Sequence, residues 1–215
     1  MDHQTSKQLR NNRMITKQKK KQAKVNYHLP VPKEKLSKFL QRMAIEECHY
    51  LLIGDGSGSR REHPSGFACV LLDMTGKKPV RDLFHGAVNR ATINLAELVA
   101  YQLPLLEILH RVLEERKRNR GKIEFRHVHI ISDSDYVVKM ADRASIREEN
   151  QIIWDSIEMI KRQGVILHWH WMGRAQCELN ELVDAVSKLA RRSHIRFMKR
   201  MAKPIYQPQR YNQDG

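Results

Sequence analysis

Three short segments in the first half of the chain carry the apolar pattern of β-strands. They are HYLLIG (49 to 54), GFACVLLD (66 to 73) and DLFHGAV (82 to 88). Short apolar runs that are bounded by polar or glycine-containing turns are typical of strands. The pattern predicts that the first two segments form adjacent antiparallel strands and that the third strand follows closely.

The period of the apolar residues then changes from two to 3.6. Between Leu95 and Leu113 they recur on one helical face, which predicts a long helix with a kink at Pro104. Apolar residues at positions 36, 39, 40 and 43 predict another, short amphipathic helix before the first strand.

The second half of the chain alternates strands with helices. The pattern predicts strands at 127–132 and 165–172, a short helix directly after the first of these, and helices over 150–163 and 178–192. In VILHWHWM, His168 and His170 share one side of the strand, which we interpret as a strand face packed beside a helix. The order of elements predicts an α/β layered domain without internal repeats.

Positive charge is concentrated at the two ends of the chain. Within a net charge of +15, residues 1 to 45 hold 12 Lys/Arg against 2 Asp/Glu, residues 191 to 215 hold 7 against 1, and residues 46 to 190 hold 20 against 21. Basic ends beside a neutral body suit a protein that its extensions hold on nucleic acid, since neutralised phosphates release counterions. Charge alone leaves open a solubilising arm, an acidic protein partner and an anionic membrane surface.

These features divide the chain into three parts. We expect a basic N-terminal extension with a short helix over 1–45, an α/β domain over 46–192 and a basic C-terminal tail over 193–215. Within KQKKKQAK, the candidate nucleic-acid contacts are Lys19, Lys20 and Lys21. The tails are also candidate contacts for assembly into a protein complex.

Cysteine usage and hydropathy bear on where the protein works. Cys48, Cys69 and Cys177 stand far apart without a CxxC pair, which excludes a disulfide framework or zinc ribbon and favours a reducing compartment. No apolar run reaches the ~18 residues of a membrane span, and the N-terminus lacks the apolar stretch of a signal peptide. We expect a soluble, cytoplasmic protein without a membrane partner.

Four acidic residues stand where predicted strands end or predicted helices begin. Asp55 closes the first strand and Asp133 closes the fourth. Glu97 lies in the first turns of the long helix, and Asp184 lies near the start of the last helix. These positions border the crevice in which α/β sheets bind ligands, so the carboxylates could converge. Crowded carboxylates need a cation, and oxygen ligands favour Mg²⁺ or Mn²⁺. Each residue taken alone also fits a turn, a helix cap or a solvated charge.

The segments around these four residues carry a resemblance to a known family. LIGDGSGS, TINLAELVA, IISDSDYV and GRAQCELNELVD, in this order and at these spacings, resemble the four active-site segments of ribonuclease H, type 1. The resemblance covers about residues 48 to 192, roughly two-thirds of the chain. Each motif alone is weak, but four of them threaded through the expected strands and helices are specific.

The resemblance implies a fold and a reaction. The fold is a ribonuclease H-like five-stranded mixed sheet flanked by helices, and the reaction is hydrolysis of the RNA strand of an RNA/DNA hybrid. The implied catalytic residues, which would also bind two Mg²⁺ ions with Mn²⁺ as a substitute, are Asp55, Glu97, Asp133 and Asp184. One ion would activate the attacking water and the other would stabilise the leaving 3′ oxygen, giving a 5′ phosphate and a 3′ hydroxyl.

The resemblance also implies contacts to nucleic acid at Gly56, Ser57, Thr92 and Asn94. Thr92 and Asn94 match positions that touch phosphate and the minor groove, where 2′-hydroxyls distinguish RNA from DNA. A capped helix start explains Thr92 and Asn94 equally well.

Arg174 departs from the family pattern. It stands in GRAQC, where most relatives have a mobile histidine that assists product release. Arginine holds phosphate but does not shuttle a proton near neutral pH, so we expect slower turnover or a preference for Mn²⁺. The chain also lacks the basic, Trp-rich insertion with which some bacterial relatives grip the substrate, and we expect the basic tails to serve instead.

Two other functions remain open from the sequence. The same scaffold serves nucleases that act on DNA, and it also suits a non-catalytic nucleic-acid-binding or assembly subunit anchored by its tails. The Ser-Asp-Ser and Asn-Glu-xx-Asp details favour hybrid hydrolysis over the first alternative. The four carboxylates argue against the second alternative, and the absent histidine argues mildly for it.

Overall fold

The computed structural model of the chain describes residues 38, 40–42, 44–58, 63–122, 124–141, 149–173 and 177–201. Four predicted nucleic-acid contacts lie outside these residues, namely Lys19, Lys20, Lys21 and Arg174. The short helix predicted before the first strand is present at Lys38 and 40–42, and Leu40 packs against the core.

Five strands form one mixed sheet. They are β1 (Tyr50–Ser57), β2 (Ser65–Asp73), β3 (Val80–Val88), β4 (Arg126–Ser132) and β5 (Val165–Trp171), in the spatial order β3-β2-β1-β4-β5. β1 pairs antiparallel with β2 and parallel with β4, which places it at the centre of the sheet. The outer pairs are β2 with β3, antiparallel, and β4 with β5, parallel. The predicted five-stranded mixed sheet is thus confirmed.

The helices that flank this sheet follow the predicted order. They are α1 (Ile93–Arg118), α2 (Asp135–Ala141), α3 (Gln151–Lys161) and α4 (Glu178–Met201). The long helix α1 continues through Pro104 as one element. The last helix is longer than predicted, because it passes residue 192 and includes the first nine residues of the expected C-terminal tail. No Gly or Pro interrupts this stretch before Pro204, and its Arg, Lys and Met residues favour helix.

Both faces of the sheet are covered, so β1 is buried along its whole length. On one face, Leu52 packs with Leu98 and Tyr101 of α1 and with Trp154 of α3. On the other face, Leu51 and Ile53 of β1 pack with Val183 and Val186 of α4. Because alternate strand residues point to opposite faces, every residue from 50 to 53 is apolar, and Asp55 is the first charged residue of the strand.

Two properties expected from the sequence concern cysteine and hydropathy. The three cysteines, Cys48, Cys69 and Cys177, are all free. Within the described ranges, no helix combines the length and the apolar character that crossing a membrane requires.

Histidines line the face of β4 and β5 that is opposite α1. His129 lies directly across from His168 in the parallel register, with their ring centroids 4.5 Å apart. His127 Nδ1 is 3.0 Å from His168 Nε2, and His129 Nδ1 is 2.9 Å from His170 Nε2. The sequence interpretation of His168 and His170 as packed beside a helix therefore needs correction, since their partners are the imidazoles of β4.

Burial favours the neutral form of three of these rings, those of His129, His168 and His170. The pKa of His129 is lowered to about 4, mainly by burial, although the main-chain carbonyl of Glu47 opposes the shift by accepting from its ring. Burial also lowers the pKa values of His168 and His170, and the neighbouring histidines lower them further. In each imidazole pair one nitrogen donates and the other accepts, so at most one ring of a pair tolerates a proton without losing the hydrogen bond.

We expect the free energy of unfolding to fall as the pH is lowered from about 6.5 to 4.5. A folded-state pKa below the unfolded value means that the unfolded chain binds more protons, so this stability is present above pH 6.5 and is lost through the folded pKa. His129 alone contributes about 2 to 3 kcal/mol over this window. Urea denaturation at several pH values measures the profile. His129→Gln should flatten it and the surface variant His110→Gln should not; equal profiles for all three proteins contradict the assignment.

Candidate active site

The first two candidate carboxylates occupy equivalent positions on adjacent parallel strands. Ile53 of β1 pairs with Ile131 of β4. Asp55 and Asp133 each lie two residues beyond these partners, so both follow the same register at the carboxyl ends of their strands. Asp55 is buried, with 6% of its surface exposed, and Asp133 is partly buried. The strand pairing thus places Asp55 and Asp133 at equivalent positions on neighbouring strands, at one edge of the crevice.

Glu97 reaches the same place from α1. The side chain is 7% exposed, and its helix crosses β1 at Gly56. A Cβ atom on Gly56 would lie 2.6 Å from both Cγ and the main-chain nitrogen of Glu97. Only glycine allows this approach, because Cβ atoms essentially never come within 3.0 Å of such neighbours. Gly56, predicted as a nucleic-acid contact, therefore has a structural role, because it lets Glu97 pack directly over β1, one residue after Asp55.

Tyr101, one turn after Glu97 on α1, links the ends of β1 and β4 through its hydroxyl. Its hydroxyl lies 2.8 Å from the carbonyl oxygen of Gly54 and 2.9 Å from that of Ile131, so one buried donor is shared between β1 and β4. Burial raises the pKa of Tyr101 well above its ordinary value, and the charges of Asp133 and Glu97 raise it further. The hydroxyl therefore stays protonated and donates at all physiological pH values.

Removing this hydroxyl should loosen the joint between the strands. In Tyr101→Phe the two buried carbonyl oxygens lose their shared donor, and we expect the free energy of unfolding to fall by about 1 to 2 kcal/mol. Chemical denaturation measures the change. Tyr136→Phe is the matched control, because its hydroxyl bonds to Asn150 at a partly exposed position. A loss no greater than in the control would contradict the role of Tyr101.

Ser187 connects Asp55 to the last helix. Its hydroxyl lies 2.7 Å from Oδ2 of Asp55 and 3.0 Å from the carbonyl oxygen of Asp184, and the serine is fully buried. The side chain of Ser187 thereby links the backbone of Asp184 to the carboxylate of Asp55. The carboxylate of Asp184, whose side chain is 45% exposed, accepts a hydrogen bond from Nζ of Lys188 at 2.7 Å. Helix α4 thus brings Asp184 to the rim of the crevice rather than to its floor.

The remaining predicted contacts lie at the same end of the sheet. Ser57 ends β1 opposite Gly66. Thr92 caps α1, since its hydroxyl oxygen accepts from the main-chain nitrogen of Leu95 at 3.2 Å. Asn94 follows in the first turn and is partly exposed. The cap explains the type of residue at 92, while contact of Thr92 and Asn94 with nucleic acid stays a prediction.

The donor set and the space around it decide whether a cation fits. Asp55, Glu97 and Asp133 offer only oxygen, which hard cations such as Mg²⁺ prefer, and the absence of a Cβ at Gly56 leaves room for the Glu97 side chain. Within the described part of the chain, however, no three His, Cys, Asp or Glu side chains are gathered closely enough to hold a metal ion. The residues fit a divalent cation by the chemistry of their oxygen donors, and holding one requires their carboxylates to turn toward a common point.

Two residues of this site were missed in the sequence. Tyr101 follows Glu97 at i+4 and Ser187 follows Asp184 at i+3, so each shares a helix face with a candidate carboxylate. That spacing is the signal that could have identified them. It was overlooked because Tyr and Ser on the buried face of a helix are ordinarily assigned to packing.

Comparison with known proteins rests on structure. No family model matches the chain, and no curated protein sequence matches it. Solved structures do match, and three of them superpose over most of the α/β domain.

These three structures are similar to the chain over nearly their whole length. The N-terminal RNase H domain of a Mycobacterium tuberculosis protein, solved as a fusion with maltose-binding protein, has a TM-score of 0.51 and 16% identity, and the match covers 69% of this chain and 97% of that one. LC11-RNase H1, isolated from compost by a metagenomic approach, has a TM-score of 0.52 and 18% identity over 68% and 97%. The same enzyme in complex with RNA/DNA hybrid gives 0.50 and 19% over 68% and 99%.

At sequence identities of 16% to 19%, this similarity shows a shared fold. The sheet order, the parallel pairing of β1 with β4 and the helices on both faces agree with it. The chain therefore has the ribonuclease H fold.

Proposed function

We propose that this chain is a metal-dependent endoribonuclease that hydrolyses the RNA strand of RNA/DNA hybrids. The observation that carries the proposal is the position of Asp55 and Asp133, in register at the ends of neighbouring parallel strands, with Glu97 packed over Gly56. The ribonuclease H fold supports it, and one structure of that fold, at 19% identity, holds an RNA/DNA hybrid.

In this proposal Asp55, Glu97, Asp133 and Asp184 hold two divalent ions, Mg²⁺ or in its place Mn²⁺. When bound, the ions supply activation of water and stabilisation of the leaving 3′ oxygen. The protein supplies position. Ser187 links Asp55 to α4 by donating to Oδ2, and Tyr101 fixes the spacing between the strand ends that carry Asp55 and Asp133.

Substrate contacts complete the proposed site. Thr92 and Asn94, at the start of α1, would bind phosphate and the minor groove, where the 2′-hydroxyl marks RNA. A helix start also offers unpaired main-chain N–H groups to a phosphate, which makes the segment around Ser57, Thr92 and Asn94 suitable for the backbone of a duplex. Arg174, in this proposal, holds phosphate and does not transfer protons.

A substrate panel tests the proposal. The full chain is incubated with labelled RNA/DNA hybrid, double-stranded RNA and double-stranded DNA of one sequence, in Mg²⁺, in Mn²⁺ and in EDTA. We expect cleavage of the RNA strand of the hybrid only, with 5′-phosphate and 3′-hydroxyl products and no cleavage in EDTA. Equal cleavage of DNA would replace the proposal by a DNA nuclease, and tight binding of hybrid without any cleavage would replace it by a non-catalytic binding subunit.

A further inference from the structure

Helix α4 extends well past the sheet that it covers. Its first half packs on β1 with Val183 and Val186, whereas nearly all side chains from 192 to 201 are exposed or only partly buried. From residue 188 to 201 the helix has six Lys/Arg residues and no Asp/Glu. Because these residues add little to the hydrophobic core, packing does not explain why the extension is so basic.

Four of the six basic residues of the extension share one side of the helix. Residues at i, i+4, i+7 and i+8 share a helix face. The extension has basic residues at these positions, and we call them the basic face: Arg192, Arg196, Lys199 and Arg200. All four side chains are exposed. A single-sign stripe on a solvent-exposed helix is an electrostatic footprint for a polyanion.

Three contacts fix the direction in which the extension leaves the domain. His194 Nε2 lies 2.7 Å from Oδ1 of Asn89, three residues before the cap at Thr92. Arg191 Nε donates to the carbonyl oxygen of Pro64 at 3.1 Å. A Cβ atom on Gly66 would lie 2.7 Å from the main-chain nitrogen of Arg191, so helix and strand touch backbone to backbone. The extension is therefore anchored beside the end of β1 that carries the candidate site.

Helix geometry gives the distance from the site to the basic face. At 1.5 Å per residue, Arg192 lies about 12 Å, Arg196 about 18 Å and Arg200 about 24 Å along the helix from Asp184, which is eight, twelve and sixteen residues away. Phosphates of one strand follow each other at about 3.4 Å along a duplex axis. The basic face thus lies roughly four to seven base pairs from Asp184, a distance that one bound duplex spans.

We propose that the basic face binds the phosphate backbone of the same nucleic-acid duplex that occupies the candidate active site. The inference rests on the proposed function for the presence of that duplex, and it assigns the grip on distant phosphates to a helix of the domain. It also revises the expectation that such a grip belongs to a C-terminal tail, because Arg196, Lys199 and Arg200 stand at fixed positions on α4.

The test compares two fourfold Gln variants of the full chain. One changes the basic face at Arg192, Arg196, Lys199 and Arg200. The control changes four exposed residues at the far end of α1, namely Lys117 and Arg118 in its last turn, about 30 Å along that helix from Glu97, and Arg120 and Lys122 just after it. Both lose four charges, so general electrostatic steering changes equally. Hybrid affinity is measured at several salt concentrations in Ca²⁺, and cleavage rates are measured at saturating hybrid in Mg²⁺.

Each phosphate contact contributes about 0.9 to the magnitude of the slope of log affinity against log salt concentration. In the basic-face variant we expect this magnitude to fall by about two to four. Its affinity near physiological salt should fall at least about tenfold, with the saturated cleavage rate unchanged, and the control should change little. On a hairpin-closed hybrid of about eight base pairs, which reaches only ~14 Å to either side of its centre, Arg192 alone of the four stays within reach, and the difference between variant and parent should shrink to about one phosphate contact.

Three results overturn the inference. They are an unchanged slope in the basic-face variant, an equal loss in both variants, and loss of binding to phosphatidylserine vesicles with hybrid affinity unchanged. The last would assign this helix, with its exposed Phe197, Met198 and Met201, to a membrane surface instead. A parent protein that binds hybrid with the full slope but cleaves nothing would refute the proposed function and leave the basic face standing.

Discussion

Replacing Asp133 by Asn should abolish hybrid cleavage while the protein stays folded and still binds its substrate. The variant keeps the shape of the side chain but removes one charge at the carboxyl end of β4. Losing several kcal/mol of charge stabilisation in the transition state corresponds to at least about a thousandfold in rate. Asp55→Asn should have the same effect, since its position on β1 is equivalent.

Asp135→Asn is the matched control for the Asp133 variant. Asp135 lies two residues away in the first turn of α2, is exposed and pairs with Lys139. Its replacement should leave the cleavage rate within about twofold of the parent, because surface ion pairs contribute little. Single-turnover cleavage at saturating hybrid measures all three variants. If Asp133→Asn and Asp135→Asn cleave equally well, Asp133 is not a catalytic residue.

Gly66→Ala should be among the most destabilising single substitutions in the domain. Its new Cβ atom would lie 2.7 Å from the main-chain nitrogen of Arg191 and closer still to the carbonyl oxygen of Ser187. Both neighbours are helix backbone, which cannot rotate away, so α4 must shift. We expect a loss of about 3 kcal/mol and a fall in Tm of roughly 6 to 12 °C. Because Ser187 bonds to Asp55, cleavage should fall as well.

Gly76→Ala provides the comparison for this effect. Gly76 lies in the turn between β2 and β3, and a Cβ atom there meets only the carbonyl oxygen of Lys78, at 3.6 Å. Thermal unfolding of the two variants and the parent separates a loss caused by the helix contact from the general cost of removing glycine. A Tm for Gly66→Ala that matches the one for Gly76→Ala would mean that α4 does not pack on β2 as described.

The fold and the position of the carboxylates were largely within reach of the sequence. Continuous apolar residues end before Asp55 in β1 and shortly before Asp133 after β4, a pattern typical of strands that are covered on both faces. Glu97 was identifiable because it stands one turn inside a helix whose cap, Thr92, is visible as a residue type. Both signals depend on residues close together in the chain, which is why they can be identified in a single sequence.

Other features depend on contacts between distant segments. The pairing of His129 with His170 follows from the register of β4 with β5, which no short motif specifies. The hydrogen bond from Ser187 to Asp55 joins residues 132 positions apart. The end of α4 was placed near 192 because a run of Arg and Lys suggested a tail, although these residues favour helix when no Gly or Pro intervenes.

The central claim is that Asp55, Glu97 and Asp133 gather around divalent ions at the end of the central strand. Diffraction from crystals of the parent protein grown with Mn²⁺ and hybrid, measured at the manganese absorption edge, tests it most directly. The claim predicts two anomalous peaks about 3.5 to 4 Å apart, with carboxylate oxygens of all three residues as ligands. Ions bound elsewhere, with the three carboxylates still turned apart, would contradict it.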